Sequence, residues 1–218
     1  MNEAAFFLII EGLDGSGKSE VSRRLAAQIR AVINERVLLT YEPNDPSAAG
    51  VFIRDVLSHK IQASPRTLAL AYALNRADHT FRVIQPFLDE ASAQDQMQRI
   101  VICDRYYLSS LVYQSVSPLN MQEVWQMNAD ARKPDLILFM DASADTCYAR
   151  QGKRGGVREL FDSNLAARRE HYMQAIAFLR ERDHQIVEVD ANLDLPNVLS
   201  NVIAALRAHS PQWLSSLL

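Results

Sequence analysis

An α/β architecture, a parallel sheet of five strands flanked by helices, is what this 218-residue sequence predicts, and three observations predict it. Short apolar runs alternate with longer amphipathic stretches, the pattern of strands covered by helices. The runs are mostly continuous rather than alternating in polarity, as expected of strands buried on both faces. Polar residues able to carry chemistry, Glu11, Glu42, Asp104 and Asp141, fall at or just after the ends of those runs, where such sheets open their ligand crevice.

Taken in order, the runs predict strands over residues 6–11, 37–41, 99–104, 136–141 and 185–190. Helical stripes lie between them. Val21, Leu25 and Ile29 mark the first. Phe161, Leu165, Tyr172, Ile176 and Leu179 mark a longer one, and Leu195, Val198, Leu199, Val202, Ile203 and Leu206 the last. No internal repeat, low-complexity segment or Pro/Gly-rich linker divides the chain, so a single domain is expected over 1–218. At 48% apolar and 22% charged residues, the composition is that of a folded globular protein. A net charge of −3, from 23 basic against 26 acidic residues, argues against a surface built to follow a nucleic-acid backbone. Any phosphate binding must come from a local cluster. Cys103 and Cys147 are the only cysteines, which excludes a disulfide framework and fits a reducing compartment. The leading apolar run has no basic segment before it and no cleavage site, so it reads as a strand rather than a leader. No run approaches the roughly 18 apolar residues of a membrane span. A cytoplasmic protein is expected.

Three of the seven glycines stand together at Gly12, Gly15 and Gly17, within Gly12-Leu13-Asp14-Gly15-Ser16-Gly17-Lys18-Ser19. This is a full G-x-x-x-x-G-K-[ST] match, following an apolar run and opening an amphipathic stretch, the context that confirms a phosphate-binding P-loop. Backbone N–H groups of Gly12 to Ser19, with Asp14, Gly15, Ser16 and Gly17 between, would cradle ATP. Lys18 would reach the β- and γ-phosphates, and the Ser19 hydroxyl would hold Mg²⁺. A P-loop NTPase fold, with Mg²⁺ and ATP, is therefore expected. Gly152, Gly155 and Gly156 sit among Arg150, Lys153, Arg154 and Arg158. Such a segment, about 150–158, is expected to be a mobile lid that closes over ATP and stabilises charge on the transferred group. A solvated basic loop has the same composition.

A GTPase switch would need N-K-x-D and, after the third strand, D-x-x-G. Neither occurs outside the P-loop. The third strand ends instead in Asp104-Arg105-Tyr106. Asp104 could hold Mg²⁺ through water, and Arg105 could clamp an acceptor phosphate bidentately, although a bare Asp-Arg pair equally suits a surface ion pair.

Together these residues resemble the thymidylate kinases over most of the chain. The similarity runs through 10–19, Tyr41-Glu42-Pro43, the helical stretch 70–78, and Asp104-Arg105-Tyr106 with Ser109, Ser110 and Tyr113-Gln114. Lys133-Pro134-Asp135-Leu136 and the basic segment followed by Glu159-Leu160-Phe161 complete it. The resemblance implies phosphorylation of dTMP to dTDP by ATP, a homodimer, and nucleotides rather than nucleic acid or membrane as partners. It implies that Asp14 accepts from the 3′-hydroxyl of the acceptor, Tyr72 stacks on thymine and Arg76 donates to a thymine carbonyl. Arg105 would hold the acceptor phosphate, Ser109 or Ser110 would contact the base, and Tyr113 would crowd the 2′ position. Glu42 and Gln114 would line the acceptor site. Arg150 would meet ATP, while Arg154 and Arg158 would act in catalysis with Lys18, Asp104 and Arg105. Two positions depart from the family pattern. Glu20 stands where Thr is usual, so its carboxylate must be paired or turned away from the phosphates. Tyr41 stands where bacterial relatives often have Arg, with Arg54 the candidate replacement. Two rivals remain open from the residues: a deoxynucleoside kinase with Glu42 as base, and a nucleotide-binding paralogue of weak activity.

Overall fold

The computed structural model describes residues 4–92, 97–152 and 164–218. Its sheet has five parallel strands: β1 (Ala5–Gly12), β2 (Val37–Tyr41), β3 (Arg99–Asp104), β4 (Leu136–Asp141) and β5 (Ile186–Asp190). They match the expected runs to within a residue. The order β2-β3-β1-β4-β5 puts β1 at the centre, and β1 is buried from its second residue to its last. Helices α1 (Lys18–Ile33), α2 (Ala48–Leu57), α3 (Pro65–His79), α4 (Gln85–Asp89) and α5 (Tyr107–Tyr113) come from the first half of the chain. They are followed by α6 (Met121–Met127), α7 (Ala144–Gly152), α8 (Leu165–Arg180), α9 (Leu195–His209) and α10 (Gln212–Ser215).

Local chemistry sets several of these boundaries. Ser64 caps α3 by accepting from Thr67 N, with Pro65 in the first turn, where its missing N–H costs nothing. Asn120 and Glu123 form a reciprocal capping box at α6. Asn164 and Asp194 cap α8 and α9. The face of α1 that carries Val21, Leu25 and Ile29 is fully buried, as its period predicts.

The chain leaves β1 for β2 on one side, returns through β3, and crosses to β4 on the other. Crevices form at such a reversal, beyond the carboxyl ends of the strands. Parallel register brings the chemistry there: Asp104 lies level with Ile10 on one neighbour and Tyr41 on the other, and Gly12 level with Met140. Among the described residues no helix is long and apolar enough to cross a membrane.

Candidate active site

The P-loop turns between β1 and α1 with Gly12, Gly15 and Gly17 all at positive φ. Gly15 has no alternative: at φ 87° a Cβ would lie 2.6 Å from the Cys147 carbonyl oxygen. Lys18 is buried and donates from Nζ to the Leu13 carbonyl at 2.8 Å, with Asp14 Oδ1 3.9 Å away. Burial, then the nearby Arg105 charge, pull the Lys18 pKa down. Ser19 Oγ donates to Asp104 Oδ2 at 2.5 Å, while Asp104 Oδ1 is buried without a hydrogen-bond partner among the described residues. An orphaned carboxylate oxygen beside a hydroxyl at the mouth of a P-loop suits a hard divalent cation that takes its remaining ligands from phosphates and water. Ser19 and Asp104 therefore fit Mg²⁺.

Arg105 follows β3 in the left-handed region at φ 71°, a conformation costing roughly 1–2 kcal/mol for a non-glycine residue. The turn is held by its neighbours. Arg105 N donates to the Ile10 carbonyl at 3.0 Å, and Glu11 Oε1 accepts from Tyr106 N at 2.8 Å and Ser109 N at 2.9 Å. Glu11 is wholly buried. Burial pushes its pKa up, opposed by the Arg105 charge and these hydrogen bonds. Arg105 is thus aimed between two helices. Its Nη2 pairs with Asp14, and its Nη1 donates to Ser109 Oγ at 2.9 Å and Tyr172 Oη at 3.2 Å. Burial would raise the Asp14 pKa, but Arg105 and Lys18 outweigh it and lower it to about 2.

Two cavities meet at Asp14, Glu42 and Arg105. One extends past Lys18, Ser19, Tyr41 and Asp104. The other is walled by Tyr72, Arg76, Ser110, Tyr113 and Gln114. In the second, Arg76 is 2% exposed. Its Nε donates to Glu42 Oε2 at 2.6 Å, its Nη1 donates to Asn128 Oδ1, and its plane lies 5.1 Å from the Tyr106 ring. Glu42 Oε1 accepts from His79 Nδ1 at 3.2 Å, so both its oxygens are engaged. A P-loop beside a buried, cation-lined pocket of this size has the form of a donor site facing a small acceptor.

Comparison with known proteins decides which kind. Residues 10–202 match the family model for thymidylate kinase. The chain is 32% identical over 203 residues to a probable thymidylate kinase of Caldivirga maquilingensis, covering 92% of each chain. It is 33% identical over 215 residues to the thymidylate kinase of Ruegeria pomeroyi, covering 96% of this chain and 98% of that one. The chain belongs to the thymidylate kinase family. Its fold is also that of the crystal structure of thymidylate kinase from Ehrlichia chaffeensis, with a TM-score of 0.68 at 23% identity, covering 93% and 98% of the two chains.

As a member of this phosphotransferase family, the chain has most of its expected site residues in one cleft. Gly12, Asp14, Ser16, Lys18, Ser19, Asp104 and Arg105 surround the P-loop, while Glu42, Tyr72, Arg76, Ser109, Ser110, Tyr113 and Gln114 surround the second cavity. Ser109 Oγ is committed to Glu11 Oε2 at 2.7 Å, whereas Ser110 Oγ is buried without a partner among the described residues. Arg54 pairs with Asp45 and lines neither cavity. Glu20 is paired: Arg24 Nε donates to it at 2.7 Å and Arg23 Nη2 to its other oxygen. Arg150, expected at the start of the lid, belongs to α7. Its guanidinium is fixed on the carbonyls of Ser16, Ala191 and Leu193 at 2.8–3.1 Å. With Gly17, Glu20 and Leu195 it walls a third hollow against the P-loop. Gln151 and Gly152, also expected in the lid, end α7, while Lys153, Arg154, Arg158 and the rest of the expected lid, with Glu159 and Phe161, lie outside the described residues.

Sequence reasoning missed His79, Asn128 and Tyr172, and it placed Glu11 at the crevice, as a carboxylate closing an apolar run, without giving it a role. Tyr172 left no signal, because its helical spacing places it in the core stripe of α8, where it also packs 5.0 Å from the Phe139 ring.

Proposed function

We propose that this chain transfers the γ-phosphoryl group of ATP to dTMP, giving dTDP. The observation that carries the reading is Arg105, a charged fork on the wall shared by the two cavities, within reach of Asp14 of the P-loop. Its fork already holds one anion, the Asp14 carboxylate, and an acceptor phosphate brought there would suit the same geometry, next to Lys18. The acceptor brings its own ionised phosphate, whose second pKa is about 6, so no general base is required. Glu42 spends both oxygens on Arg76 and His79, which removes the motive for a nucleoside kinase. The pairing of Glu20 likewise removes the motive for a nucleotide-binding paralogue of weak activity.

In this reading Lys18 and Arg105 neutralise charge on the donor and acceptor phosphates, and Arg154 and Arg158 add to them from the lid. Ser19 and Asp104 would hold Mg²⁺, whose chemistry when bound would be further charge neutralisation at the phosphates. Arg150 and the hollow around it receive the ATP base. Asp14 stays ionised and orients the acceptor sugar, and Tyr113 closes the 2′ position. Tyr72 stacks on the base, Arg76 donates to a ring carbonyl, and Ser110 and Gln114 complete the pocket. The chain acts in the cytoplasm on free nucleotides and not on nucleic acid. A second copy covers the face formed by α3 and the turn that follows it, where Leu70, Leu74 and Phe81 are 50%, 63% and 79% exposed, since apolar stripes of this kind mark association surfaces.

Steady-state turnover with Mg-ATP and a panel of dTMP, dUMP, dCMP, the thymine ribonucleotide and thymidine tests the reading. dTMP should lead, and the ribonucleotide should trail. Faster turnover of thymidine would overturn it.

A further inference from the structure

We infer that Asn128 is a specificity-determining residue for the acceptor base, acting by locking the Arg76 guanidinium so that its donor is held at one position against the pyrimidine. The inference rests on the proposed use of dTMP. Its starting point is that Arg76 has a long, rotamer-rich side chain, and a buried one reads a base sharply only if something removes that freedom.

Two fixed points do so. Glu42 Oε2 accepts from Nε at 2.6 Å, and Asn128 Oδ1 accepts from Nη1 on the adjacent arm of the fork. Two in-plane hydrogen bonds, together with the covalent link through Cδ, hold the plane of this rigid fork. Among the described residues no hydrogen bond runs from Nη2, and Arg76 lines the acceptor cavity.

Each fixed point is itself held. His79 Nδ1 engages the second oxygen of Glu42, and Thr40 Oγ1 lies 2.8 Å from His79 Nε2. A carboxylate has no proton to give, so Nδ1 is the donor. Asn128 Nδ2 donates to the Val124 carbonyl at 2.8 Å, one turn back in α6. That bond settles the amide orientation: its oxygen, not its nitrogen, faces Arg76. Asn128 is 4% exposed and is not among the residues lining the acceptor cavity. It acts only through Arg76 and is a positioning residue. A fixed donor rewards a ring carbonyl and opposes the exocyclic amine of cytosine. Releasing one of its two anchors should cost dTMP its contact while relieving dCMP of the mismatch.

The test is the ratio of kcat/KM for dTMP to that for dCMP in the full chain, with dTMP affinity by calorimetry and Tm alongside. Asn128→Ala should lower the ratio about tenfold or more, the scale of one lost buried polar partner. The loss should fall mainly on KM for dTMP, and use of dCMP should hold or rise. Asn128→Asp, which keeps an acceptor toward Nη1, should recover most of the preference. Should the alanine variant fail to fold, Asn128→Ser carries the same test, because its hydroxyl is too short to reach Nη1. A purely structural residue would lower both substrates together and leave the ratio unchanged. That outcome, with the wild type still preferring dTMP, overturns the inference and spares the proposed function. A wild type that uses no dTMP overturns both.

Discussion

Around the P-loop, the cleft is made of consecutive residues, Gly12 to Ser19, whose backbone turns from β1 into the N-terminus of α1. Across Arg105, the acceptor side collects side chains from the end of β2, from α3, from α5 and from the residue after α6. The first half relies mainly on glycine conformation and main-chain groups. The second relies on buried polar side chains, each satisfied by another: Thr40, His79, Glu42, Arg76 and Asn128 form one continuous chain of contacts. The difference teaches where each half is vulnerable. A P-loop fails through a lost charge at the phosphates, with the fold intact. A buried polar network fails through stability, because removing one member strands the next.

The comparison can be broken at Lys18. Lys18→Ala should lower kcat by on the order of 10²-fold or more, while Tm and dTMP affinity stay near wild type. Retention of more than about a tenth of turnover would deny Lys18 its role. Glu42→Gln should show the opposite signature. It leaves Arg76 charged and buried without its partner, a defect costing about 3–5 kcal/mol, readable as a lower urea midpoint before any assay. Equal stability of wild type and variant would show that the network is not a unit.

Smaller effects sharpen the contrast. Ser110→Ala removes a buried hydroxyl that has no partner among the described residues, so stability should be unchanged or slightly higher while KM for dTMP rises a few-fold. A stability loss with unchanged KM would place Ser110 in the core instead. The smallest effect concerns pH. Asp14 titrates at about 2 when folded, against an ordinary 3.8. Its ionised form therefore adds stability above 3.8 that is lost as pH falls toward 2. Asp14→Asn should flatten the acid limb of the stability curve over that interval. An identical limb in the variant would mean that Arg105 does not hold this carboxylate.

The same contrast explains what was legible in the sequence. Strand positions followed from continuous apolar runs, and the P-loop from eight adjacent residues. The contacts that aim Arg105 and Arg76 were not legible. Tyr172 reaches Arg105 across 67 residues and Asn128 reaches Arg76 across 52, and neither leaves a local pattern. The resemblance supplied Tyr72, Arg76 and Tyr113, which periodicity alone reads as core or solvated helix. That Glu11 claims the Ser109 hydroxyl is likewise visible only in the packing.

The central claim is that Arg105 reads the acceptor's phosphate, and the ratio of kcat/KM for dTMP to that for thymidine, in wild type and Arg105→Met, tests it most directly. The wild type should favour dTMP by roughly 10³-fold or more, as sites built around a polar partner do when that partner is missing. The variant should lose most of that preference through its dTMP rate. A ratio that survives the substitution, or a wild type that turns over thymidine faster than dTMP, would contradict it.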